Sequence, residues 1–256
     1  MITRRATLHA LALMTLALAA CTSAPEAGDD RGDITVYAAA SLREVFDDIG
    51  AEVEEETGAT IRFTYAGSSD LAAQLAEGAP GDVFASADET QMAAAVRAGV
   101  VGEPQPFATN TLTVVVPPGN PAGVSTWEDM ALTRTVVCAP QVPCGAATRR
   151  VVEQSGSVIQ PVSEESSVTD VLGKIVAGEG DAGFVYVTDA IRAGDTVEVV
   201  DLAGMDDVVN VYPIAVTTHG EADAARAATA QAFVDAVLGE VGRDRLAEAG
   251  FGPPPS

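Results

Sequence analysis

Four stretches of this chain place small or hydroxyl residues where a strand or loop gives way to a helix-like repeat. They are Ser41 after "ITVYAAA" (34–40), Ser68 and Ser69 in "TYAGSSDLAAQL" (64–75), Pro143, Cys144 and Gly145 in "QVPCGAATRR" (141–150), and Ser166 and Ser167 ahead of Val168 in "ESSVTDVLGKI" (165–175). A serine at a helix start is most often a cap for the backbone and nothing more. The same position also offers a hydroxyl and unpaired N–H groups on a helix end carrying roughly half a positive charge. Several such starts converging on one cleft would hold an anion without Lys or Arg. Covalent chemistry fits these serines poorly. A nucleophilic Ser68 or Ser69 needs a base, His219 is the only histidine after His9, and no G-x-S-x-G elbow surrounds the serines. A lipid-anchored serine hydrolase is therefore the remote alternative.

Composition narrows the partners. The chain has 256 residues, enough for one large domain or two lobes with their own cores. With 37 acidic against 14 basic residues and a formal net charge of −23, it has no Lys/Arg cluster to neutralise phosphates, which argues against nucleic acid. Its 47% hydrophobic content argues against an acidic disordered tail. The acids lie mainly on helix faces, as in "DDIGAEVEEE" (47–56), where a solvated surface explains them better than a metal-cation site. Remote carboxylates are largely screened beyond about 8 Å at physiological salt. Local hydrogen bonds to an anion, roughly 1.5–3 kcal/mol each, outweigh them.

The first residues read as an address. Arg4 and Arg5 precede an apolar stretch, Leu8 to Ala20, that is short for a membrane span. It ends in "LAAC" (18–21), which resembles a bacterial lipobox and implies a signal peptide over 1–20, cleavage before Cys21 and a lipid on its sulfur. The Sec and twin-arginine export routes stay open. "TSAPEAGDDRG" (22–32) reads as a flexible tether, so the segment 21–32 links lipid to folded body. The remaining cysteines, Cys138 and Cys144 in "CAPQVPC", are better suited to a local disulfide than to zinc, since the histidine supply is almost nil.

The elements that must position the donors alternate. Strand-like runs at 34–40, 60–67 and 81–87 are each followed by a helical repeat, which predicts a parallel sheet with ligands at the carboxyl ends of its strands. Further strands are expected at 110–117, 134–140, 181–187, 196–202 and 208–216, with helices near 145–154 and 168–177 and a long helical run over 221–249. Two long β-branched runs bracketing a central block suggest two lobes joined by two crossing segments. Lobe I would hold 33–108 and 214–256, and lobe II 109–213.

The motifs "ITVYAAASL" (34–42), "YAGSSDLA" (65–72), "GAPGDVFASAD" (78–88), "VPCGAA" (142–147) and "GFVYVTDA" (183–190) occur in one order across nearly the whole body. In this the chain resembles the molybdate-binding proteins of bacterial ABC importers. The resemblance implies an α/β, two-lobed periplasmic-binding-protein fold of type II, with the ligand in the interlobe cleft. It implies a monomer that captures molybdate or tungstate outside the cytoplasm, without cofactor or catalysis, and delivers it to a membrane permease. Touching the membrane only through its lipid anchor is part of the same picture. Carried over by position, the oxyanion ligands are Ser41, Ser68, the backbone N–H groups of Cys144 and Val168, and the Tyr186 hydroxyl. Cys144 departs from the family's usual alanine, which a backbone donor tolerates. Molybdate, fully deprotonated near neutral pH, only accepts hydrogen bonds, and such a set can meet it with donors alone. Another tetrahedral oxyanion such as sulfate is the alternative, because only pocket size separates it.

Overall fold

The computed structural model describes residues 32–255, so the expected signal peptide, Cys21 and all but the last residue of the expected tether lie outside the described residues. The chain runs β1 (Ile34–Ala39), α1 (Arg43–Thr57), β2 (Ile61–Ala66), α2 (Ser68–Ala76), β3 (Val83–Ala85), α3 (Glu89–Arg97) and β4 (Gln105–Val116). It continues through α4 (Trp127–Met130), β5 (Thr135–Cys138), α5 (Pro143–Ser155), β6 (Ser163–Glu165), α6 (Val168–Val176), β7 (Ala182–Tyr186), α7 (Val187–Ala193) and β8 (Glu198–Val200). β9 (Val209–Val216), α8 (Ala224–Leu238) and α9 (Glu240–Glu248) complete it.

The strands pair in the order β2-β1-β3-β9-β4-β7-β5-β6, with β8 also on β4. β1 lies parallel to β2 and β3, and β5 lies parallel to β6 and β7. Each half of the sheet is thus a parallel β–α unit, the first as the alternation predicts, and this two-lobed α/β architecture is the expected one. The long antiparallel strands β4 and β9 connect the halves. β3 joins β9 at Ile214–Val216, and β7 joins β4 at Leu112–Val115. Between these points β4 and β9 pair with each other, Asn110 directly opposite Asn210, with only an isolated bridge from Thr109 to Gly252 beside them. The connection there is a neck two strands wide.

The helices follow their apolar spacing. Val45, Phe46, Ile49 and Val53 bury one face of α1, and Gly58 ends it in the left-handed conformation. Phe46 meets Phe233 of α8 edge-on at 5.3 Å, and Phe107 links Phe46 to Tyr212. This aromatic chain carries the core up to the neck. The expected helical run over 221–249 is two helices broken at Gly239, whose extended backbone closes α8 and opens α9. α8 itself begins only after Asp223, whose carboxylate accepts from Ala225 and Arg226 N–H. The strand expected at 196–202 shrinks to β8, and a helix not expected, α7, follows β7 immediately. No described helix is long and apolar enough to cross a membrane.

Candidate functional site

All six parallel strands end on the same cavity. β1 leads to Ser41, β2 to Ser68 and β3 to Ala87 in one half. β5 leads to Cys144, β6 to Val168 and β7 to Tyr186 in the other. All five residues singled out in the sequence therefore border one space, together with Ala39, Ala40, Gly67 and Ser167. Its volume is about 10 Å³. That is the scale of one water, about 10–15 Å³, and far below the roughly 300–1,000 Å³ of clefts for organic ligands. A larger groove of about 350 Å³ is bordered by Arg149 and Arg150, but also by Asp88, Glu89 and Glu153, so it has no one-sided donor set.

Local structure explains each donor. Ser68 is the first residue of α2 and does not cap it. Its Oγ accepts from Ala87 N–H at 3.0 Å, which leaves its own proton to donate. The Ala87 loop is held by Ser86, whose Oγ donates to the Asp88 carbonyl and accepts from Asp88 N–H. Ser41 sits in a short 3-10 turn ahead of α1, its Oγ 3.1 Å from the Tyr212 hydroxyl. Pro143 opens α5 and Cys144 follows it, so the Cys144 N–H falls in the first turn, ahead of any intrahelical bond. A disulfide joins Cys138 to Cys144 across 5.7 Å between Cα atoms, fixing that turn to the end of β5. Gly145 is required beside it: a Cβ there would lie 2.0 Å from the Ala139 carbonyl oxygen. Val168 opens α6 behind Ser167, whose hydroxyl caps Asp170 N–H. The capping serine here is Ser167, and the adjacent N–H of Val168 stays available.

Tyr186 ends β7 and is 1% exposed. Its oxygen accepts from Asn210 Nδ2 at 2.8 Å. Burial pushes its phenol far above the ordinary tyrosine range, and Tyr212, Asp88 and Asp189 add to the effect, so it stays a neutral donor. Among the described residues no carboxylate borders the cavity. The two halves meet around it: Gln91 Nε2 donates to the Gln141 carbonyl at 2.9 Å, and a Cβ on Gly67 would lie 2.1 Å from the Ser166 carbonyl oxygen. Asn210, Tyr212 and Ala87 were not singled out in the sequence. The polar residue inside the apolar run "VVNVYPIAV" was the one signal that could have raised Asn210.

Behind Tyr186, Asp189 is wholly buried in the first turn of α7. Arg192 donates to its Oδ1 at 2.9 Å, and its Oδ2 has no partner among the described residues. Burial pushes its carboxyl up to about 6, against the pull of Arg192. A carboxyl raised in the folded state contributes stability that is full below about 4 and lost as pH rises through about 6. Asp189→Asn is therefore expected to gain on the parent in melting temperature between about pH 4.5 and 7.5. A difference that stays constant over that range would mean that Asp189 does not titrate there.

The serine-hydrolase alternative finds no geometry. Ser68 is engaged by a backbone N–H, whereas His219 Nε2 lies 2.6 Å from Arg226 and 3.9 Å from Asp82. Among the described residues no cluster of His, Cys, Asp and Glu is placed to hold a metal cation.

Comparison with known proteins gives the same picture. Residues 34–252 match the family described as bacterial extracellular solute-binding protein. The chain is 43% identical to the molybdate-binding protein ModA of Mycobacterium tuberculosis H37Rv over 255 residues, covering 95% of each chain. It is 31% identical to ModA of Escherichia coli K12, covering 87% of this chain and 90% of that one. In structure it resembles the periplasmic molybdate-binding protein of Azotobacter vinelandii, with a TM-score of 0.72 at 21% identity over 87% of this chain and all of that one (100%). The sulfate-binding protein SubI of M. tuberculosis has a TM-score of 0.65 at 24% identity, over 86% of each chain. With this match along nearly its whole described length, the chain belongs to the bacterial extracellular solute-binding family that includes the molybdate-binding proteins ModA.

Proposed function

We propose that the protein captures molybdate or tungstate outside the cytoplasm and hands it to the permease of an ABC importer. The observation that carries this reading is a small cavity bordered by five neutral donors drawn from both halves and, among the described residues, by no carboxylate. Hydroxyls of Ser41, Ser68 and Tyr186 and first-turn N–H groups of Cys144 and Val168 match an anion that accepts at every oxygen. Hydrogen phosphate carries a proton, and among the described residues no carboxylate borders the cavity to take it. Sulfate carries none, so cavity size alone tells it from molybdate.

Lobe I is assigned to 33–108 and 214–256, and lobe II to 109–213, with closure bringing both donor sets onto one ion. Lipid at Cys21 would keep this monomer at the membrane. A calorimetric competition among molybdate, tungstate, sulfate and phosphate tests the reading. Molybdate and tungstate should displace sulfate, phosphate should fail to compete, and scattering should show a more compact particle when the ion is bound. Sulfate or phosphate displacing molybdate would overturn the choice of ion. In cells, Cys21→Ser should shift the protein from the membrane to the soluble fraction, and unchanged partitioning would remove the anchor.

A further inference from the structure

Asn210 lies in the two-stranded neck, 2% exposed, with three hydrogen bonds and no place on the cavity wall. Its Oδ1 accepts from Arg150 at 2.9 Å. Its Nδ2 donates to the Ala87 carbonyl at 3.0 Å and to the Tyr186 hydroxyl at 2.8 Å. The amide orientation is fixed twice over. A guanidinium can only donate, so the amide oxygen must face Arg150. A carbonyl can only accept, so the NH₂ must face Ala87. Tyr186 therefore meets a donor and cannot give its proton to Asn210.

We propose that Asn210 is a positioning residue for oxyanion binding, holding the Tyr186 hydroxyl as an acceptor on its outer side so that its proton goes to the anion. The inference rests on the anion reading above. Arg150 strengthens the arrangement, since a charge-assisted bond to the amide oxygen makes the amide N–H a better donor. A positive charge thus acts on the anion through Asn210 and Tyr186 while the guanidinium itself stays at the exposed surface of α5. The Ala87 contact places the same amide against the loop whose N–H orients Ser68, so one side chain serves donors in both halves.

The test is a double-mutant cycle read by calorimetry with molybdate, tungstate and sulfate. Asn210→Leu removes the amide at similar volume and should weaken binding about fivefold, as for a lost hydrogen bond. In a Tyr186→Phe background the same change should cost less than about twofold, because the hydroxyl it acts on is gone. An equal cost in both backgrounds, which a purely structural role would give, overturns the proposal. Asn210→Asp keeps the shape and reverses the hydrogen-bond sense, so Tyr186 turns its proton onto the introduced carboxylate. Molybdate affinity should fall at least about tenfold, and an unchanged affinity overturns the proposal. Should the leucine variant fail to fold, Arg150→Met replaces it in the cycle, with a loss of about two- to threefold that vanishes without the Tyr186 hydroxyl. A parent that binds none of the three ions overturns the anion reading and this proposal together. A parent that binds, with additive costs, overturns only the role of Asn210.

Discussion

Tyr186→Phe and Ser68→Ala should each weaken molybdate binding by roughly 1.5–3 kcal/mol, on the order of ten- to a hundredfold, as for hydrogen bonds to a charged group. Tyr186→Phe keeps the ring in its T-shaped contact with Tyr212, 5.9 Å between centroids, but takes away the hydroxyl to which buried Asn210 Nδ2 donates, so it should lose one donor to the ion and some stability of the ligand-free protein. Ser68→Ala removes a donor and also the acceptor of Ala87 N–H, so it should lower the melting temperature of the ligand-free protein as well. Ser41→Ala should fall at the lower end of the range, since Ser41 is the more exposed serine and already shares its hydroxyl with Tyr212. Calorimetric titration beside thermal melts separates these outcomes. Parent-like titration of both the Tyr186 and the Ser68 variants would remove them from the pocket.

The second large effect separates the two roles of Cys144. Its sulfur bridges Cys138 across a separation of 6 residues, and its N–H lies in the first turn of α5. Closing so short a loop stabilises by about 2 kcal/mol in the chain-entropy picture. Cys144→Ala and Cys138→Ala each delete the bridge and keep the N–H. Both should lower the melting temperature by a similar amount and weaken the oxyanion only modestly. Cys144→Pro deletes bridge and donor together. Because it follows Pro143, which is then disfavoured in helical backbone, it should cost further stability, and binding is best compared well below its melting temperature. There it should bind at least about tenfold more weakly than the alanine variant. Equal affinities of the folded alanine and proline variants would show that the Cys144 N–H does not reach the ion.

The residues proposed as donors, which border one cavity, were legible in the sequence because each belongs to a local event. A strand ends, a small or hydroxyl residue follows, and a helix begins, all within a few residues at Ser68, Cys144 and Val168. The alternation of strands and helices over 34–97 likewise revealed the first parallel half. What supports the donors was not legible, because those contacts run across the fold. Ala87 meets Ser68 from 19 residues away, and Asn210 meets Tyr186 from 24 and Ala87 from 123. Nothing in the spelling of "VVNVYPIAV" says that its asparagine will stand beside a tyrosine. The break at Gly239 was hidden for another reason. An alanine-rich run with apolar residues throughout keeps its helical signal across a residue whose extended backbone interrupts it.

The neck has a mechanical consequence. Asn110 and Asn210 face each other across its two strands, the first bonded to Thr188 and the second to Tyr186. Were the halves to swing apart, the strands that twist would be the ones that brace Tyr186, the hydroxyl proposed to hold the ion. There is no separate lever between movement and grip. A substitution in residues 108–111 or 209–212 would change how tightly the ion is held and how readily the halves part at the same time. The helix starts at Cys144 and Val168 have no hydrogen bond to the neck asparagines among the described residues. Altering the preferred ion without altering the speed of its release would have to begin there.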